Sequence, residues 1–268
     1  MFYTEHQYPQ HSEGARQTVS VLSNRRAMDG SQAHAIATNR LLAALPAGDL
    51  ERVEAHLEFV PLGAGDVLYQ SGSRMRHVYF PTTSIVSLLH TMANGACAEI
   101  ALVGNEGVAG ASLCMGDETT ACRAVVSSAG GVYRLASRVI KQEFARGGTM
   151  QQLLLRYSQA LITQMGQTAA CNRHHALEQQ LCRRLLLNLD RLPSNEFAMT
   201  HQSIANMLGV RREGVTEAAG KLQTAGLIRY TRGRITILDR GGLEGRTCEC
   251  YAAVKRENDR LLRCAAVS

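Results

Sequence analysis

The spacing of apolar positions changes character several times along the chain. Residues 1–35 are rich in Gln, His and Ser and show no period of 2 or 3.6, which predicts a flexible arm reaching to about residue 38. From residue 39 two short helices are expected. Leu41, Leu42 and Leu45 share a face ahead of Pro46, and Leu50, Val53, Ala55 and Leu57 fit a second. Short apolar runs then follow at 59–62, 67–69, 77–80, 85–90, 99–103, 124–126 and 132–135, separated by turn-forming stretches such as 63–65, 71–73 and 81–84. Many short strands at such spacing predict a β-sandwich or barrel, and Asn94-Gly95 reads as a hairpin turn.

After residue 135 the period becomes helical. Ser137 is placed to cap a helix containing Val139, Ile140 and Phe144, which Gly147-Gly148 interrupts. Thr149 with Gln152 makes a capping-box pattern that opens a long helix. Along it Met150, Leu154, Tyr157, Leu161, Met165 and Thr168 recur at steps of three and four, a coiled-coil type of seam that predicts a dimer. Leu153, Leu155 and Ile162 lie off that seam, so the helix has apolar surface for its own barrel and for a second copy. A third helix carries Leu177, Leu181, Leu185 and Leu189 and stops before Pro193. A compact unit at about 194–240 and an amphipathic tail with Tyr251, Val254, Asn258 and Leu261 complete the chain.

Charge sharpens this division. Residues 1–170 hold 13 Lys/Arg and 13 Asp/Glu, whereas residues 171–268 hold 16 and 10, so the whole net charge of +6 belongs to the C-terminal part. A neutral front and a basic back point to a polyanion meeting the back.

The basic unit contains the pattern of a helix-turn-helix. Thr200 can cap a first helix with Ile204, Ala205 and Leu208 on its buried face. Gly209 supplies a turn where positive φ is tolerated, and Val210 plugs the angle. A second helix follows at about 211–224 with Val215, Ala219 and Leu222 inward, leaving Glu213, Thr216, Glu217 and Gly220 outward and Arg212 at its start. In such a motif the first turns of the second helix reach base edges in the major groove. Arg bonds guanine O6 and N7 together and a carboxylate accepts from cytosine N4, so Arg212, Glu213, Thr216 and Glu217 are the candidate base readers. Two β-runs meet at Arg232-Gly233, a basic hairpin that makes the unit a winged helix. Thr200, His201, Gln202, Arg211, Lys221, Arg232 and Arg234 are the candidate phosphate contacts.

With these motifs the chain resembles the Crp–Fnr family of transcription regulators over about residues 39–240. The segment 62–72, Leu-Gly-Ala-Gly-Asp-Val-Leu-Tyr-Gln-Ser-Gly, is similar to that family's early strand-turn-strand, and 178–186 to its helix before the DNA-binding unit. The resemblance implies an α+β chain: an N-terminal jelly-roll β-barrel sensor domain (39–146), a long dimerisation helix (147–171), a C-terminal winged helix-turn-helix domain (172–240) and a helical tail (241–268). It implies a homodimer on near-palindromic double-stranded DNA and contact with RNA polymerase. Arg212 and Glu213 match the family's Arg-Glu pair, while Glu217 stands where a further base-contacting Arg is common.

The effector site departs further. Cyclic-nucleotide binders of that family carry a Gly-Glu-Leu-Gly type of loop and then Arg-Ser-Ala or Arg-Thr-Ala. Here the loop reads Val-Gly-Asn-Glu-Gly over 103–107, and Thr120 stands where the phosphate-binding Arg is expected. Arg123 lies three residues on, on the opposite strand face. Glu106, Thr120 and Arg123 are therefore candidates for an effector pocket of unknown ligand, and cyclic AMP is not the expected effector. A cyclic-nucleotide-gated or a cysteine-gated regulator using Cys97, Cys114 or Cys122 is the alternative.

The remaining features narrow the field. No apolar run is long enough for a membrane span, and no signal-peptide core precedes the barrel, so a cytoplasmic protein is expected. No nucleophile elbow, phosphate loop or HExxH motif suggests an enzyme. Residues 1–38 hold no cysteine, which removes the N-terminal iron–sulfur cluster of oxygen-sensing relatives. Cys248 and Cys250 form a CxC pair that, with Cys264, offers three thiols but no second CxxC, and His174, His175 and Glu178 fall on one helical face as a solvated or interface-facing cluster. Neither arrangement by itself has the spacing of a metal site, so no metal and no cofactor is expected.

Overall fold

A computed structural model describes residues 36–263 apart from Asn94 and Asp117, with side chains to residue 260. Two short helices, α1 (Arg40–Ala43) and α2 (Ala47–Glu54), open it. Ile36 is already buried in the core, so the packed chain begins ahead of the predicted boundary at residue 39. Asn39 sets the start of α1. Its Oδ1 accepts from the Leu42 amide, and its Nδ2 donates to the carbonyls of Pro81 and Gly107, both at 2.9 Å. One fully buried amide thus ties helix, strand end and loop together.

Seven strands follow: β1 (Glu58–Leu62), β2 (Val67–Tyr69), β3 (His77–Pro81), β4 (Ile85–Thr91), β5 (Cys97–Val103), β6 (Arg123–Ser128) and β7 (Gly130–Ala136). They form two antiparallel sheets, ordered β1-β7-β3 and β2-β6-β4-β5. The predicted runs are all present. Gly95 takes φ +82 in the turn between β4 and β5, while its predicted partner Asn94 lies outside the described residues. The core between the sheets is built from side chains such as Phe80, Val86, Val103 and Leu135.

Two predicted caps are displaced. Ser137 and Thr149 are the first helical residues of α3 (Ser137–Arg146) and α4 (Thr149–His174), with Ala136 and Gly148 in the cap positions and no side-chain cap bond. Gly147 and Gly148 take φ +83 and +81, and with Gly148 as the cap α4 begins one residue earlier than a Thr149 cap requires.

Helix α5 (Leu177–Leu189) is buried around most of its circumference and leads into the C-terminal unit. That unit comprises β8 (Glu196–Ala198), α6 (His201–Leu208), α7 (Arg212–Thr224), β9 (Ile228–Thr231), β10 (Arg234–Ile237), α8 (Arg240–Arg246) and α9 (Glu249–Arg263). Its small sheet has the order β8-β10-β9; β8 had no clear signal in the sequence. Leu185, Ile204, Val215, Leu222, Ile235, Leu243, Tyr251 and Val254 share one core. The segment read as a separate tail therefore finishes this core, and α9 returns along α4.

Candidate nucleic-acid interface

Local chemistry shapes the helix-turn-helix. Thr200 Oγ1 accepts from the Ser203 amide at 3.0 Å and caps α6. Gly209 ends α6 at φ +67, and the Val210 amide bonds back to the Ala205 carbonyl. Gly214 is needed for another reason: a Cβ there would meet Leu177 Cδ2 at 2.9 Å, so α7 crosses α5 in close approach. Along α7, Val215, Ala218, Ala219 and Leu222 are buried while Arg212, Glu213, Thr216, Glu217, Gly220 and Lys221 are exposed. All four candidate base readers thus lie on the exposed side of one helix, beside Arg211 in the N-cap position.

The candidate phosphate contacts divide by environment. Arg232, at φ +50, and Gly233, at φ +78, are the two central residues of the turn between β9 and β10. Positive φ at both positions is the signature of a type I′ hairpin and holds the Arg232 side chain at an exposed tip. Arg234 pairs with Glu196 at 2.9 Å and Lys221 with Glu217 at 2.8 Å, all four side chains largely exposed. The hydrogen bond between them holds the Glu217 carboxyl below, and the Lys221 ammonium above, their usual ranges. Exposed pairs of this kind contribute about 0–1 kcal/mol, so phosphate can displace them. His201 is committed locally: its ring stacks on Tyr230 at 4.1 Å and its Nδ1 lies 2.9 Å from Thr216 Oγ1. Gln202 donates to Asn206.

Residues 179–246 match the model of the Crp-like helix-turn-helix domain. The chain carries a Crp-like helix-turn-helix domain. Among solved structures, the described fold is similar to FixK2 from Bradyrhizobium japonicum, with TM-score 0.60 and 15% identity over 72% of this chain and 98% of that one. A CRP-family transcriptional regulator from Thermus thermophilus gives TM-score 0.59 and 19% identity over 70% and 95%. The c-di-GMP-responsive global regulator CLP of Xanthomonas campestris gives 0.57 and 15% over 72% and 100%. These likenesses establish the fold of Crp/Fnr regulators for barrel and Crp-like domain together. Comparison with curated proteins finds no sequence match.

The helix between the two units is arranged differently from its predicted seam. Met150, Leu154 and Tyr157 are buried in the barrel core, and Leu161 and Met165 pack against it. Thr168 turns toward α5, where it accepts from Arg183 at 2.8 Å. Met150, Leu154 and Tyr157 are thus enclosed by their own chain, while Leu161, Met165 and Thr168 stay partly exposed. This stretch of α4 packs against β5 and the barrel core. Leu155 and Ile162, off the predicted seam, are the exposed apolar residues of α4, at 51% and 64%.

The candidate effector residues are not brought together either. Glu106 is buried and pairs with Arg191 at 2.8 Å, in a cavity shared with Arg40 and Asp259. Arg123 lines a different cleft, between the barrel and Met199, Ser203 and Met207 of the Crp-like domain. Thr120 Oγ1 accepts from the Cys122 amide. Gly107 packs so tightly on Tyr157 that a Cβ would come within 2.1 Å of the ring, so this loop is closed against α4. Among the cysteines considered for redox gating, burial pushes the Cys114 thiol up to about 11 and raises Cys122, which disfavours the reactive thiolate of each.

The sequence reading missed three buried arginines. Arg184 contacts Glu99 of β5 and also reaches Met207 of α6, Arg183 bonds Thr168, and Arg191 holds Glu106 and Gln164. Each ties the barrel or α4 to the Crp-like domain. Glu99 inside an otherwise apolar strand was the one signal available.

His174, His175 and Glu178 also separate. His174 is exposed, Glu178 pairs with Arg246 at 2.9 Å, and His175 turns toward Glu249 and Cys250. No described helix is long and apolar enough to cross a membrane.

Proposed function

We propose that the chain is a sequence-specific, dimeric transcription regulator that lays α7 into the major groove of near-palindromic double-stranded DNA. The observation that carries this is the two-sided character of α7: one side is locked into the core of the Crp-like domain, and the other presents Arg212, Glu213, Thr216 and Glu217. Arg212 and Glu213 read a G and a C, with Thr216 and Glu217 beside them. Thr200, Gln202, Arg211, Lys221, Arg232 and Arg234 surround that face as phosphate contacts. His201 acts by positioning Thr216.

The dimer contact falls on the outer side of α4. Gln152, Leu155, Gln159, Ile162 and Gly166 are exposed at steps of three and four, the spacing of a two-helix seam. Bound at a promoter in the cytoplasm, the dimer would recruit or block RNA polymerase. Cyclic AMP is not the effector in this reading, because Glu106 is engaged by Arg191 and Thr120 offers no cation to a phosphate.

Genome-wide footprinting of the purified protein, paired with sedimentation, tests this reading. A two-fold-symmetric motif with half-sites about one helical turn apart, bound by a dimer that Ile162→Glu dissociates, is the expected result. A monomer, or a motif without symmetry, overturns it.

A further inference from the structure

The end of α4 and the start of α9 bring together four donors that are far apart in sequence. Cys171 and His175 stand four residues apart across the C-terminal end of α4. Cys248 and Cys250 flank the first residue of α9. Cys171 Sγ lies 3.5 Å from Cys248 Sγ, and Cys250 Sγ lies 3.6 Å from His175 Nδ1. One ligand atom from each of the four falls within 4.8 Å of all the others. The three cysteines are buried as a cluster of their own.

We propose that Cys171, His175, Cys248 and Cys250 form a tetrahedral Cys3His site for a zinc-class divalent cation. A metal with sulfur ligands at about 2.3 Å and nitrogen at about 2.0–2.1 Å sets neighbouring tetrahedral donors about 3.5–3.8 Å apart; the Cys171–Cys248 and Cys250–His175 pairs already have that spacing, and a small inward shift of the others, all within 4.8 Å, completes it. A cluster of two or more irons would spread its ligands further, since donors on different irons are separated by the metal–metal distance as well. The sequence reading expected no metal because it joined the CxC pair only to Cys264, which lies outside the described residues. The Cys-x3-His pair that completes the set is contributed by the far end of another helix.

The surroundings are those of a ligand set. His175 Nε2 lies 3.3 Å from Glu249 Oε1, so with Nδ1 on the metal the other ring nitrogen donates to a carboxylate, which fixes the tautomer. Gln180 donates to the carbonyls of Cys171 and His175 at 3.4 and 2.8 Å, holding both ligands' backbone. Three thiolates and one divalent cation carry a net charge of −1. Arg183 is buried, has no carboxylate partner among the described residues, and its charge acts on both Cys171 and Cys250. It is the counter-charge that such a complex requires. A disulfide between Cys171 and Cys248 would use neither His175 nor its carboxylate, nor Arg183. The site clamps the start of α9 to the junction of α4 and α5, where the barrel meets the Crp-like domain. It is independent of the proposed DNA reading.

Elemental analysis of the reduced full-length chain should find about one zinc per chain. Cobalt added to the stripped chain should give the absorption of tetrahedral thiolate coordination. Cys248→Ser and Cys250→Ser should abolish that spectrum, while Cys182→Ser, buried but outside the set, should keep it. Glu249→Gln alters an exposed carboxylate and leaves folding intact; it should weaken cobalt and zinc binding about 10–100-fold. A reduced chain that takes up neither metal, a cobalt spectrum indifferent to Cys250→Ser and Glu249→Gln, or a native Cys171–Cys248 disulfide in mass spectra would overturn the proposal.

Discussion

The arginines of α5 and of the turn just after it are the same residue type as those of the winged hairpin, yet they do opposite work. Arg184 and Arg191 are removed from water and meet the buried carboxylates Glu99 and Glu106 of the barrel. Arg232 and Arg234 remain in water, one without an anionic partner among the described residues and the other against the exposed Glu196. A buried guanidinium fixes how two domains sit, because losing its partner leaves an uncompensated charge. An exposed one is held weakly and is free to meet an external anion. Arg184 and Arg191 thus join the domains, while Arg232 and Arg234 stay available to an external anion, and burial separates the two pairs.

The largest effect expected from this contrast is on stability. Arg191→Ala should destabilise the chain by about 3–5 kcal/mol, seen as a lowered denaturation midpoint, because Glu106 is left buried and unpaired. Replacing Arg191 and Glu106 together with leucine should recover most of that loss. If the double variant is as unstable as the single one, the pair is not the source of the effect. Next, Arg212→Ala should weaken binding to the cognate site by about 1–3 kcal/mol and relax the choice at one base pair in a binding-site selection. An equal loss on every sequence would turn Arg212 into a phosphate contact. Arg234→Ala should weaken all duplexes alike and flatten the log–log salt dependence by about one unit; an unchanged slope would remove the wing from the interface.

The smallest effect is on pH. Burial, and then the Arg212 charge, hold the His201 imidazolium pKa below its usual value. Because the folded value lies below the unfolded one, protonation favours the unfolded chain. The contribution of His201 is intact above about pH 6.5 and declines as the pH falls below it. Thermal melts of His201→Asn should show a shallower loss of stability below that pH than the parent. Identical pH profiles would place the sensitivity elsewhere, with His77, which is depressed by burial in the same direction, as the alternative source.

This contrast also explains how much could be read from the sequence. The strands of the barrel and both helices of the helix-turn-helix were legible, because period, turn residues and the Gly209 break act locally. The outward side of α7 followed from helical geometry alone. The face of α4 was not legible: it carries apolar residues on two sides, and only packing against the barrel decides that Tyr157 goes in and Ile162 stays out. The pairing of Arg184 with Glu99 spans 85 residues of sequence and leaves no local periodic trace. The Cys171, His175, Cys248 and Cys250 cluster escaped for the same reason. Short-range signals specify elements, and long-range contacts choose among their faces.

The return of α9 along α4 has a practical consequence for how this protein is dissected. A fragment trimmed to the matched stretch 179–246 would discard Tyr251 and Val254, leaving Leu185 and Leu243 with an uncovered greasy flank. It would also cut Tyr251 Oη from Asp190 and Arg240, which it now bridges at 2.9 and 2.7 Å. A fragment that keeps the core of the Crp-like domain whole therefore includes α9, which lies beside α4, distant in sequence but not in space.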